Sequence, residues 1–302
     1  MARKDASSDD LFEIRNSFYI GNYQQCINGA TSLRAKSLEK DLLVYRSYIA
    51  QKRYRIVLDE ISSGDATSLQ AVRKLAEYFA EPAKKEVIVK YFDDKLATPS
   101  NDLEDIWVIA AATVYYNEEN YEAALKILHT ADSLECKALQ IQTLLKINRP
   151  DVAKKVYQQM QEKDDDATLT QLAHAWLSIE IGGEKLQDAY YIFQDFVDKF
   201  SSSVQLLNSQ AVCNIGQQKY EDADGLLREA LEKNSTNYDT LVNLITASQH
   251  LEKGENVNRN LSNLKDSHPD SPLITDYVKK ENDFDRFCSQ YAPSNPTPIV
   301  FS

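Results

Sequence analysis

An all-α solenoid of about eight helical hairpins, capped by one further C-terminal helix, is the fold class that three observations predict. First, Tyr23, Tyr54, Tyr121 and Tyr220 each stand three residues before a small or apolar residue: Cys26, Val57, Ala124 and Ala223. Successive tyrosines lie 31, 67 and 99 residues apart, close to one, two and three times ~33 residues, the length of a helix-turn-helix repeat. Second, glycine and proline number only eight each in 302 residues, so helix breakers are scarce outside turns. Third, no stretch alternates apolar and polar residues as a half-buried strand does. The period and the tyrosine-plus-small-residue pairing are those of a degenerate tetratricopeptide-like repeat.

Residues 1–10 are polar, lack the apolar core of a secretory signal and are expected to be flexible. One continuous repeat domain is expected over 11–291. The tail 292–302, with Pro293, Pro296 and Pro298, is expected to be flexible. Ile14, Phe18, Tyr23, Cys26 and Ala30 mark a first hairpin; Tyr45, Tyr48, Tyr54, Val57 and Ile61 mark a second. Leu75, Tyr78 and Val87 keep the spacing of a third, with Pro82 in its turn. The fourth runs through Ala112 and Tyr115, a polar turn at Asn117–Asn120, then Tyr121, Ala124, Leu128 and Ala131. Ile141, Leu144, Pro150, Ala153 and Tyr157 give the fifth; Trp176, a turn at Gly182–Lys185, Ala189 and Phe193 give the sixth.

The seventh hairpin is the clearest. Leu207, Ala211, Tyr220, Ala223, Leu227 and Ala230 occupy the repeat positions in phase, small residues being needed where paired helices cross closely. Advancing by 34 residues gives Leu241, Ile245, Gly254, Val257, Leu261 and Leu264, and Pro269 stands where a helix must stop. Pro272 to Tyr291 predicts one more helix, whose sparse apolar stripe of Leu273, Tyr277, Phe284, Phe287 and Tyr291 is expected to cover the last repeat.

A net charge of -12 opposes nucleic-acid binding, which needs a basic stripe to release counterions, and opposes direct docking on anionic lipid. The longest apolar run, Ile106 to Tyr116, is far short of the ~20 residues that span a bilayer and predicts a buried helix. Membrane contact is therefore expected only through a partner. Cys26, Cys136, Cys213 and Cys288 form no metal-spaced pair and are expected to be reduced, packed thiols. The sequons at Asn234 and Asn260 carry no weight without a secretory signal.

Catalytic motifs are missing. His129, His174, His250 and His268 have no second ligand at metal spacing and are expected to pack or to face solvent. No phosphate-cradling glycine loop or nucleophile elbow occurs, so no cofactor, metal or catalytic residue is expected. Asp164, Asp165 and Asp166 precede the apolar run at Leu169, where a carboxylate or Thr168 would cap a helix; a hydrolase built on them is the sharper alternative. A solenoid offers instead an inner surface lined by the first helix of each hairpin. Residues expected to face it are Leu42, Arg46 and Ile49, then Ile109, Thr113 and Tyr116, then Asn208, Val212, Val242, Thr246 and Gln249. A co-chaperone-type module gripping acidic tails would need a basic clamp there, and Arg46 is the sole basic residue among them.

Beyond the generic repeat, whole segments resemble one family, the epsilon subunit of coatomer, the COPI vesicle coat. They include Asn16 to Ile27, Tyr45 to Tyr54 with Val57 to Ile61, Asp132 to Cys136, and Asp165 to Ala173. The run Gly182-Gly183-Glu184-Lys185-Leu186-Gln187-Asp188-Ala189-Tyr190-Tyr191-Ile192-Phe193-Gln194 is the most specific, and Lys280 to Arg286 extends the likeness to the last helix. The stretch Pro82 to Asn101 and the tail after Pro293 depart from it. The resemblance implies a non-enzymatic solenoid that clasps the C-terminal domain of the coatomer alpha subunit, holding a hairpin-like element of that partner. It implies indirect links to the other coatomer subunits and to a recruiting small GTPase. It also implies a cytoplasmic protein, peripheral on Golgi membranes and COPI vesicles, serving Golgi-to-ER and intra-Golgi transport.

Overall fold

The computed structural model describes residues 9–33, 37–97 and 104–291. The tail expected over 292–302 and most of the N-terminal segment expected over 1–10 lie outside the described residues. Seventeen α-helices and one short 3-10 turn account for the structure, with no strand among the described residues. Two compact units divide the chain, Met1–Gln218 and Lys219–Ser302.

In the first unit, six consecutive hairpins follow one another: α1 (Asp9–Tyr19) with α2 (Tyr23–Ser32), α3 (Leu38–Ala50) with α4 (Tyr54–Glu60), and α5 (Thr67–Ala80) with α6 (Lys85–Ala97). Then come α7 (Asp105–Asn117) with α8 (Tyr121–Leu128), α9 (Leu134–Lys146) with α10 (Pro150–Lys163), and α11 (Thr168–Ile181) with α12 (Lys185–Phe200). Helix α13 (Val204–Gly216) ends this unit. The second unit holds α14 (Tyr220–Lys233), the hairpin α15 (Tyr238–His250) with α16 (Gly254–Ser267), and the 20-residue α17 (Pro272–Tyr291).

The period-setting tyrosines are the first residues of α2, α4, α8 and α14, and Cys26, Val57, Ala124 and Ala223 one turn later are all fully buried. A tyrosine there plugs the turn while the small residue lets the helices approach. The turns share one backbone device. A left-handed residue stands two positions before the second helix: Gly21, Lys52, Glu119, Asn148, Gln218 and Glu252 all have positive φ. Where the ladder is complete it is a Schellman closure, as where the Arg53, Asn120 and Lys253 amides donate back to the Tyr48, Tyr115 and Ser248 carbonyls at 2.9, 2.9 and 3.0 Å.

Burial follows the predicted pattern most fully at α7, where the apolar run places eight buried residues, among them Trp107, whose ring meets Phe92 edge-on at 5.3 Å. Three histidines pack on repeat tyrosines, His174 and His250 stacked on Tyr157 and Tyr220 and His268 edge-on to Tyr238. The expected cap on α11 is not formed. Ala167 holds the N-cap position, Asp164 ends α10 in extended conformation, and the Thr168 hydroxyl donates to Asn16 Oδ1 at 2.8 Å. Thr168 is the first helical residue, one position past the cap, so its oxygen is not placed to accept from the first-turn amides.

Within the first unit the chain closes on itself. Ile20, almost fully buried, packs into the cluster built by α9 to α13. The Ser203 hydroxyl donates to the Ile20 carbonyl at 2.5 Å, and Asn22 Nδ2 donates to the Phe200 carbonyl at 3.3 Å. Gly21, at φ +83°, lies against Gln205 so closely that a Cβ would fall 2.2 Å from its amide oxygen. Glycine relieves both the left-handed backbone and the close approach here, whereas the equivalent turns carry Lys52, Glu119 or Asn148.

Candidate partner-binding surfaces

The residues predicted to line the inner surface fall into three groups. Leu42, Ile49, Ile109 and Asn208 are buried within the chain. Thr113, Tyr116, Val212, Val242 and Thr246 are half-buried, and Gln249 is exposed. Thr113 and Thr246 donate their hydroxyls to the Ile109 and Val242 carbonyls one turn back, at 2.7 and 3.0 Å, which leaves their methyl groups as the apolar part of the surface. Tyr116 meets Tyr121 edge-on at 5.6 Å.

Arg46 is committed internally. Its Nη2 donates to Glu135 Oε1 on α9, and its guanidinium carbon sits 4.6 Å above the Phe18 ring. The two side chains are only 13% and 21% exposed. Burial disfavours the guanidinium charge, but the Glu135 carboxylate more than offsets it, so the Arg46 pKa lies above the usual arginine value. Arg46, Thr168 and Ser203 thus serve the closure. No local sequence signal marks them, since their partners lie 89, 152 and 183 residues away.

Helix α17 follows the last repeat as expected and seats on it through Ile274, but most of its predicted stripe is left as the most exposed apolar surface among the described residues. Ile274 alone is buried, against Leu241 and Leu264. Leu273, Tyr277, Phe284, Phe287 and Tyr291 are exposed, Phe284 at 67% and Tyr291 at 79%. Beside Ile274, Lys265 of α16 reaches this helix, lying 4.6 Å over the Tyr277 ring and 3.3 Å from Glu281 Oε2. The rest forms a seam about 27 Å long at 1.5 Å per residue, with four of its five members aromatic.

Cys288 shares this exposed helix, whereas Cys26, Cys136 and Cys213 are buried. Burial pushes the Cys136 thiol up to about 11 and the Cys213 thiol to about 12, so neither forms thiolate near neutrality. Titration of the native protein with Ellman's reagent is expected to show a single fast thiol per chain, and Cys288→Ser is expected to remove it. Fast reaction of a second thiol would contradict the burial.

No group of three or more His, Cys, Asp or Glu side chains among the described residues could hold a metal. Asp164, Asp165 and Asp166 are exposed on the loop between α10 and α11. Among the described residues no helix is long and apolar enough to cross a membrane.

The family model "Coatomer epsilon subunit" matches residues 7–292. The chain is 40% identical to coatomer subunit epsilon-1 of Arabidopsis thaliana over 290 residues, covering 95% of this chain and 99% of that protein. It is 41% identical to coatomer subunit epsilon-1 of Oryza sativa subsp. japonica over 284 residues, covering 93% and 98%. Among solved structures, a tetratricopeptide repeat protein from Parabacteroides merdae aligns with a TM-score of 0.59 at 12% identity, over 90% of this chain and 98% of that one. The last comparison supports the repeat fold alone.

Proposed function

Because the chain belongs to the coatomer epsilon-subunit family, and is thus a structural component of the COPI coat rather than an enzyme, we propose that it binds and stabilises the C-terminal domain of the coatomer alpha subunit. Through that partner it takes part in Golgi-to-ER and intra-Golgi transport, with links to other coat subunits, the recruiting GTPase and the membrane made indirectly. The observation that carries the reading is the exposed aromatic seam on α17, supported by the half-buried inner residues Tyr116, Val212 and Val242. Aromatic side chains rimmed by polar ones suit a stable protein partner better than a small solute. A net charge of -12 leaves membrane contact to the rest of the coat.

Size-exclusion chromatography with light scattering tests this, on the chain alone and mixed with a purified C-terminal fragment of the alpha subunit. A stoichiometric complex that survives dilution is expected. Phe284→Asp is expected to weaken it at least about thirtyfold, as for a hot-spot residue worth about 2 kcal/mol, without lowering the melting temperature. Separate elution at micromolar concentration would overturn the partner; a complex indifferent to Phe284→Asp would overturn the role of α17.

A further inference from the structure

The exposed side of α17 is ordered more strictly than a stripe. Leu273, Tyr277, Lys280, Phe284, Phe287 and Tyr291 follow one another at steps of four, three, four, three and four residues. That is the a/d spacing of a coiled coil, with Lys280 the one polar residue on it. Past Ile274 every residue of α17 except Asp283 is exposed. A helix so exposed gains little from its own chain, since helical stability in water comes mostly from covering an amphipathic face.

The spacing decides what kind of element fits along the seam. Successive seam residues stand about 5 Å apart along the axis, and a second helix packing knobs between them repeats at the same interval. A strand presents one face every ~6.7 Å, so over the five steps of the seam it falls out of step by about 7 Å. Charge opposes a second copy of α17. Side by side in parallel, two copies set Lys280 on Lys280 and Asp276 beside Glu281; antiparallel in full overlap, they set Asp283 against Asp283 and Glu281 against Glu281. Lys280 states the partner's charge. Its ion pair with Asp276, one turn back at 2.7 Å, leaves the two side chains 75% and 59% exposed, so the ammonium is held weakly and can turn to a facing helix. An apolar residue opposite it would strand the charge. We infer that α17 pairs with an amphipathic helix in the C-terminal domain of the alpha subunit, carrying apolar side chains at heptad spacing and a carboxylate in the layer that faces Lys280. The inference rests on that domain being the partner of α17.

The test is photo-crosslinking of the full chain in complex with the C-terminal fragment, with p-benzoylphenylalanine in place of Phe284 in one variant and of Tyr291 in another. These positions are one heptad, about 10.5 Å, apart on α17. Mass spectrometry is expected to place the two attachment sites on the fragment about seven residues apart, as on a helix. Sites about three residues apart, the advance of a strand at ~3.3 Å per residue, would overturn the helix. Crosslinks to a second copy of this chain would overturn it too. Lys280→Glu is expected to weaken the complex at least about tenfold by setting like charges face to face; unchanged affinity would overturn the facing carboxylate. Failure of the wild-type chain to bind the fragment overturns the partner itself, whereas a formed complex with no crosslink from either position overturns the placement on α17.

Discussion

Trp107→Ala is expected to lower the free energy of unfolding by about 3–5 kcal/mol, the range for emptying a buried tryptophan site. Trp107 is the largest fully buried side chain among the described residues and belongs to a helix packed between α5, α8 and α9. Its ring is fixed by Phe92 at 5.3 Å, so truncation opens a cavity lined by aromatic and aliphatic groups that hairpins on both sides hold apart. The site cannot collapse without moving α6 or α7, and the larger end of the range follows. Urea unfolding checks this, with a lowered midpoint at unchanged slope. Helix α7 also carries Thr113 and Tyr116, so weakened binding of the C-terminal fragment of the alpha subunit is expected alongside.

Arg46→Ala is expected to cost about 2–3 kcal/mol. Removing one member of a fully buried ion pair costs roughly 3–5 kcal/mol because the other charge is left uncompensated, and the 13% and 21% exposure of Arg46 and Glu135 places this pair below that. The lost stacking on Phe18 adds a smaller part. Replacing both residues with apolar ones, Arg46→Met with Glu135→Leu, is expected to recover most of the loss, since no charge is then stranded. If the single variant unfolds at the wild-type urea midpoint, the closure of the first unit does not depend on this pair.

The hairpins were legible because four of them repeat a local rule: Tyr23, Tyr54, Tyr121 or Tyr220 opens the second helix, and a small or apolar residue one turn on permits close crossing. The turns were only partly legible. Their left-handed position is filled by Lys52, Glu119, Asn148, Gln218 and Glu252, residues that announce polarity but not positive φ, where glycine would have announced both. The closure through Ile20, Arg46, Asn16 and Ser203 was not legible, because it joins residues far apart in sequence and no period links them. Asp164 to Asp166 misled because a local capping rule does not fix where the helix begins: α11 starts at Thr168, with Ala167 at the cap position. Apolar residues on the first helices were ambiguous in kind. In a solenoid such a side chain meets either the neighbouring helix or the open face, and helical spacing is the same for both, so Leu42, Ile49 and Ile109 could not be separated from Tyr116. The stripe on α17 was visible as a stripe, but periodicity does not say which element, if any, covers it.

Hydrogen–deuterium exchange of the chain, alone and saturated with the C-terminal fragment of the alpha subunit, tests the central claim most directly. Slowed exchange along α17 and along α7 and α13, which carry Tyr116 and Val212, is the expected result. Unchanged exchange of α17 in a saturated complex would contradict the account.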